Sequence, residues 1–259
     1  TQAFMLIAPM LAPVLGAIIL KVADWKMTFI VLAIITGVSL AGAFLLQETL
    51  PVKERTQSTT IQTILGLRKV AKNPNFSSLL LVGAFISAPF MAYLALASYI
   101  YIDGFGVSET TFSMYFASNA ATSILGPVMY MRFGAGSVKK VINVGIIVAI
   151  ISAILILTVG NASPIIFLLS YVLYSIMTSY FRPLISDLLL SSTKTDVGAA
   201  SSVMNFGFTV IGSIGMVVGS LQWSSYTGGL AITMLIFIAL TTTVWFYLLK
   251  AKSIRFDWK

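Results

Sequence analysis

Tyr171, Tyr174, Thr178 and Arg182 recur at i, i+3, i+7 and i+11, which puts all four on one face of a helix. Phenol rings, a hydroxyl and a guanidinium on one face can hold an aromatic or cationic guest through ring faces and a few hydrogen bonds. Phe90 and Tyr93 offer the same chemistry from a second apolar run. Asn119 and Asn205 add amides from two more, about nine and eight residues into their helices. At ~1.5 Å per residue both amides reach the middle of a bilayer. Either could bind a substrate or hydrogen-bond a neighbouring helix, a contact worth ~0.6–2 kcal/mol. Arg182 and Asp187 are the charges most nearly inside a long apolar run. Arg182 lies ~27 Å along its helix from Pro164, close to the edge of a ~30 Å hydrocarbon core. One reading is a snorkelling arginine beside an interfacial aspartate. The other is a gating ion pair that opens and closes with an inner vestibule.

Other chemistries are excluded by composition. The chain has no Cys and no His, so it offers no thiolate, no disulfide and no imidazole as general base or metal ligand. Ser and Thr are frequent, but no buried acid pair or base accompanies them, and the chain does not read as an enzyme. No Gly-rich phosphate loop follows a strand, so nothing supports ATP hydrolysis. No cofactor or metal is expected. The net charge of +8 does not indicate nucleic acid, because the basic residues fall at the ends of apolar runs, where anionic lipid headgroups lie.

The elements that must position these groups are membrane helices. The 259 residues are 58% hydrophobic and 9% charged, far below the ~25% charged of a soluble domain. Eight apolar runs are read as helices at about 3–22, 27–46, 76–101, 110–131, 141–160, 164–189, 197–221 and 228–250. Each approaches the ~20 residues that cross a bilayer. Lys and Arg sort by loop: alternate connections carry only Lys21 and Lys26, while the others with the tail carry thirteen of the remaining fourteen, Arg182 lying near the inner end of its run. Basic loops stay cytoplasmic, so both visible ends are predicted to lie inside the cell.

Residues 1–49 read as two helices of one bundle, 50–75 as a cytoplasmic linker and 76–259 as a six-helix bundle with a tail. Within the linker, 61–72 is apolar on one side and basic on the other, which fits either an interfacial helix or a solvated connection. The runs at 27–46, 141–160 and 228–250 are the least polar and read as lipid-facing scaffold. Pro9, Pro13 and Gly16 would bend the first helix and let a neighbour approach. Gly212, Gly215 and Gly219 form a small-residue stripe suited to close helix packing.

Four segments carry a resemblance to the major facilitator superfamily, and within it to the Bcr/CflA-type drug:proton antiporters. PMLAPVLGAI (9–18) resembles the antiporter motif of the superfamily's fifth helix, with Pro13 and Gly16 in register. SYIYIDGFGVSETTFSMYFASNA (98–120) resembles the link between helices seven and eight, with Tyr99 where that family often has Pro. RFGAGSVKK (132–140) resembles the degenerate basic loop between helices eight and nine, and GAASSVMNF (198–206) the opening of helix eleven.

The resemblance implies an all-α, polytopic membrane protein, truncated to about helices five to twelve of a twelve-helix major facilitator fold. Thr1 is not an initiator Met and no basic region precedes the first apolar run, so helices one to four are expected upstream, and with them the acid for proton coupling. Proton-coupled multidrug efflux by alternating access in a bacterial inner membrane is the implied activity. The fragment alone is expected to be inactive. The implied partners are drug-like small molecules, protons and the bilayer, with the proton gradient as driving force and no obligate protein partner. Alternatives are an uptake or metabolite carrier of the same fold, or a non-transporting membrane receptor or assembly factor.

Overall fold

The structure, a computed structural model, describes residues 15–16, 18–19, 22–46, 60–134, 136–192 and 197–250. Pro9 and Pro13 lie outside the described residues. Nine helices follow among the described elements from residue 25 onward: α1 (Trp25–Phe44), α2 (Thr60–Ala71), α3 (Pro74–Ser98), α4 (Glu109–Ser123), α5 (Leu125–Phe133), α6 (Val138–Val159), α7 (Pro164–Ser191), α8 (Val197–Gly219) and α9 (Tyr226–Lys250). Six of the described helical segments are long and apolar enough to cross a membrane. These are α1, α3 with its continuation, α6, α7, α8 and α9.

α1 is apolar all round, and none of its residues is buried. Its hydroxyls are satisfied internally: Thr36 donates to the Leu32 carbonyl and Ser39 to the Ile35 carbonyl, each at 2.8 Å. The same back-bonding recurs at Ser118, Thr158, Thr209, Thr233 and Thr241. A hydroxyl that bonds one turn back needs no water, which suits a helix in hydrocarbon.

The segment expected at 61–72 as an interfacial helix or a solvated connection is helical, as α2. Val70 is buried, Leu67 packs against the core, and Arg68 and Lys69 stay exposed. The helix rests on α8. α3 starts sharply because Asn73 caps it, its side-chain oxygen accepting from the Asn75 and Phe76 amides, and Pro74 opens the first turn. It runs past the expected end at residue 101, through a wider π-turn at Tyr99–Gly104.

The single helix expected over 110–131 is two helices, broken at Ile124. Pro127 explains the break: it offers no amide, and its ring crowds the carbonyl four residues back, at Ser123. The Thr122 and Ser123 hydroxyls also take the carbonyls of Asn119 and Ala120. Both effects end the α-helical ladder at the same place.

α3 is the central helix, packed against α8, α9 and α7. α6 lies against α7 and α9, while α4 and α5 lie against α7. Polar bonds join the helices at single points. Tyr174 Oη donates to the Ile86 carbonyl (2.5 Å), Ser152 Oγ to the Ser170 carbonyl (2.6 Å) and Trp245 Nε1 to Asn143 Oδ1 (2.8 Å). The scaffold reading of 141–160 and 228–250 is therefore only half the picture. One face of each is exposed, and the other buries polar residues such as Ser152 and Thr241.

Candidate functional site

Three helices bring their rings together in the interior. Tyr93 of α3 stacks on Tyr171 of α7 with centroids 4.1 Å apart, and on Phe116 of α4 at 5.8 Å. Tyr174 follows Tyr171 at 5.7 Å. Phe167 adds a ring one turn before Tyr171, and Tyr101 of the π-turn meets it edge-on at 5.4 Å. Tyr101 stacks in turn on Tyr115 at 5.1 Å. Tyr93, Tyr101, Phe167, Tyr171 and Tyr174 are all fully buried.

The packing is possible because the aromatic residues keep helical spacing. Phe167, Tyr171, Tyr174 and Thr178 descend one face of α7, and Phe112, Phe116 and Asn119 descend one face of α4. Offset and edge-on ring pairs at these separations add ~0.5–1.5 kcal/mol each beyond area burial.

The polar atoms of this interior are poorly served. Among buried side chains, the hydroxyls of Tyr93, Tyr101, Tyr171, Ser175 and Thr178 and the Asn119 Oδ1 have no hydrogen bond of ordinary geometry. Tyr93 and Tyr101 do lie near enough to influence each other, as do Tyr174 and Thr178. A buried polar group left unsatisfied costs ~1–3 kcal/mol, and a cluster of them in a native interior marks strain or a binding role. The arrangement can hold a flat guest between ring faces and offer it hydrogen bonds from several directions, once the helices part.

The predicted site residues divide accordingly. Tyr93, Asn119, Tyr171, Tyr174 and Thr178 are buried together in this interior, and Phe90 is half-buried against it. Asn205 is exposed on α8, outside the buried set. Arg182 and Asp187 are exposed and take different partners. The Arg182 guanidinium lies 5.9 Å from the Phe208 ring centroid on α8. Asp187 Oδ2 accepts from Tyr130 Oη on α5 at 3.0 Å. Five residues apart, the two side chains leave α7 in directions that differ by roughly 140°.

Gly212, Gly215 and Gly219 line the contact of α8 with α3. A Cβ on Gly215 would fall 2.5 Å from the Ala88 carbonyl oxygen, and on Gly212 2.9 Å from Met91 Cγ. Among the described residues, a Cβ on Gly16 would meet nothing within 4 Å.

Sequence reasoning missed Phe116, Phe167, Tyr101 and Ser175. Phe167 was available by extending the Tyr171 face one turn back, and Phe116 by doing the same from Asn119. Among the described residues no group of three or more His, Cys, Asp or Glu could hold a metal ion. The described acids, Asp24, Asp103, Glu109 and Asp187, sit near or beyond helix ends.

A family model of the Major Facilitator Superfamily matches residues 1–216. The chain is 30% identical over 215 residues to the uncharacterised MFS-type transporter YdgK of Bacillus subtilis strain 168, covering 80% of this chain and 53% of that protein. It is 28% identical over 142 residues to the multidrug transporter MdfA of Yersinia pestis bv. Antiqua strain Angola, covering 54% and 34%. It is 22% identical over 228 residues to the multidrug resistance protein MdtM of Salmonella typhimurium strain LT2, covering 86% and 55%. The chain spans about half the length of these relatives, and about a third in the case of MdfA.

Proposed function

Because the chain belongs to the Major Facilitator Superfamily, we propose that it is part of a secondary transporter that expels drug-like small molecules in exchange for protons. Its spanning helices and bacterial relatives make it a multi-pass bacterial membrane protein. The names of two relatives, a multidrug transporter and a multidrug resistance protein, support efflux over uptake. The Bcr/CflA-type subfamily, the inner membrane and cytoplasmic termini belong to the same reading. The alternating basic loops support that orientation.

The observation that carries the proposal is the ring stack of Tyr93, Phe116, Tyr171 and Tyr174, in which the Tyr93 and Tyr171 hydroxyls have no hydrogen bond of ordinary geometry. Aromatic faces suit a wide range of flat or cationic cargo, since they attract by shape and quadrupole and require no fixed hydrogen-bond pattern. In alternating access the cargo would sit near the midplane between two bundles that rock about it. α3, α4 and α7 supply the aromatic wall. Proton coupling is assigned to a carboxylate outside this wall.

The test is accumulation of ethidium, an aromatic cation, in energised cells carrying the whole transporter. Accumulation several-fold below that of cells without it is expected, and a protonophore should erase the difference. Raised accumulation would replace efflux with uptake. An unchanged level despite abundant protein in the membrane would remove this cargo class.

A further inference from the structure

A groove of about 430 Å³ runs between α5, α6 and α7 and shares no residue with the ring stack. Its walls include Met129, Val144, Val148, Leu173 and Ile176. Met129, Val144 and Leu173 are exposed, so the groove opens outward from the bundle. Lys140 is the one charged residue in its lining, and it stands at the end where α6 begins. From Lys140 to Val148 the groove follows α6 for ~12 Å, less than half of a ~30 Å core, and so stays within one leaflet.

The charge at that end is unusual for a helix start. α6 has no acidic residue in its first turn and no side-chain cap from Ser137, while Lys139 and Lys140 occupy the turn itself. Arg132 closes the preceding helix. A helix N-terminus already carries partial positive charge, so these cations add to it where acids are usually found. The end is also held in shape. Tyr180 Oη donates to the Gly134 carbonyl at 2.7 Å, and Tyr130 packs edge-on against Tyr180 at 5.7 Å. Gly134 and Gly136 turn the chain with φ of 64° and 52°, values that glycine adopts freely.

A trough of hydrocarbon depth that ends in cations at the membrane surface is the complement of an amphiphile with an anionic head. We infer that this groove binds one acyl chain of an anionic phospholipid, whose phosphate lies on Lys140 with Lys139 and Arg132 beside it. The bilayer supplies this ligand on the side and at the depth where the groove opens. The assignment does not depend on cargo or on the direction of transport.

The test uses the purified protein in detergent, titrated with phosphatidylglycerol and, separately, with phosphatidylcholine of the same chains, with retained lipid counted by native mass spectrometry. Phosphatidylglycerol should be retained about fivefold more tightly, the factor one surface cation is worth against anionic lipid. Lys140→Gln should bring the ratio close to one. Val144→Trp should weaken both lipids by filling the trough, with elution and melting unchanged because Val144 is exposed. Arg68→Gln with Lys69→Gln, on a different basic helix, should leave the ratio as it was. Equal retention of the two lipids by the unaltered protein would overturn the assignment. So would an effect of the Arg68/Lys69 pair as large as that of Lys140, or full phosphatidylglycerol binding by Val144→Trp. The chain has no native Cys, so Val144→Cys can be tested for disulfide dimers. Dimers formed through it would put a second copy in the groove and also overturn the assignment.

Discussion

The two faces of α3 are built on opposite rules. On one, Ala88, Met91 and Ala92 meet Gly212, Gly215 and Gly219 so closely that an added Cβ would collide with backbone or side chain. On the other, Tyr93 enters a ring stack whose oxygens are buried and largely unpartnered. Ala92 and Tyr93 are sequence neighbours, set ~100° apart around the helix. The seam with α8 draws much of its stability from close approach, so opening it by ~0.5–1 Å would forfeit a quarter to a half of the attraction at each contact. The stack gains its stability from rings and gives some of it back through unsatisfied oxygens. A moving transporter can therefore carry α3 and α8 as one rigid pair and rearrange at the stack.

Three substitutions test that contrast and a fourth tests the first helix, in falling order of expected effect on stability. Tyr171→Ala removes a fully buried ring from the centre of the stack. It should cost ~3–5 kcal/mol, read as a lower melting temperature in detergent. A melting temperature within error of the unaltered protein would show that the stack is not part of the folded core. Gly215→Ala places a Cβ against the Ala88 carbonyl and should cost ~1–3 kcal/mol, with membrane abundance reduced to match. If abundance and melting stay normal, the seam is looser than the distances state, and the rigid-pair reading fails.

Tyr171→Phe keeps the ring and removes only an unpartnered oxygen, so stability should be unchanged or rise by ~1 kcal/mol. Ethidium efflux per molecule should fall several-fold if that oxygen meets cargo. Loss of stability without loss of efflux would make the hydroxyl structural and reverse the roles of the two faces. Gly16→Leu should have the smallest effect on abundance, because a Cβ there meets none of the described residues within 4 Å. Efflux is expected to be lost, since a bulky group would hold off a facing helix in the whole transporter. Normal efflux per molecule would take the first helix out of coupling.

Much of this was legible in the sequence because hydrocarbon imposes one strong requirement, a backbone that satisfies itself over ~20 apolar residues. The runs at 141–160, 164–189 and 228–250 are helices within a few residues of their expected bounds. The break at Ile124 was not legible from hydropathy, which does not register the missing amide of Pro127. The Tyr171 face was readable from spacing, since its members share one helix. Its partners were not, because Tyr93, Phe116 and Tyr171 belong to three helices and meet only through their crossing. Depth gave Asn119 and Asn205 the same height but said nothing of direction around the axis. One turned inward and the other outward. Arg182 and Asp187 looked like a pair because they are close in sequence, while their partners, Phe208 and Tyr130, come from helices on different sides of α7.

The break at Ile124 also bears on how the chain enters the membrane during synthesis. α4 has 15 residues and α5 has 9, about 22 Å and 13 Å of helix, and neither alone reaches a bilayer's thickness. α4 is also rich in Ser, Thr and Asn. A translocon sampling the nascent chain would therefore find no segment here that partitions into lipid unaided. The stretch must be retained until a neighbouring hairpin arm, α3 before it or α6 after it, arrives to shelter its polar side. In a glycosylation-mapped insertion assay, residues 105–136 alone should insert poorly. Insertion should rise when α3 precedes them, and efficient insertion of the isolated stretch would show that the break carries no cost at the translocon.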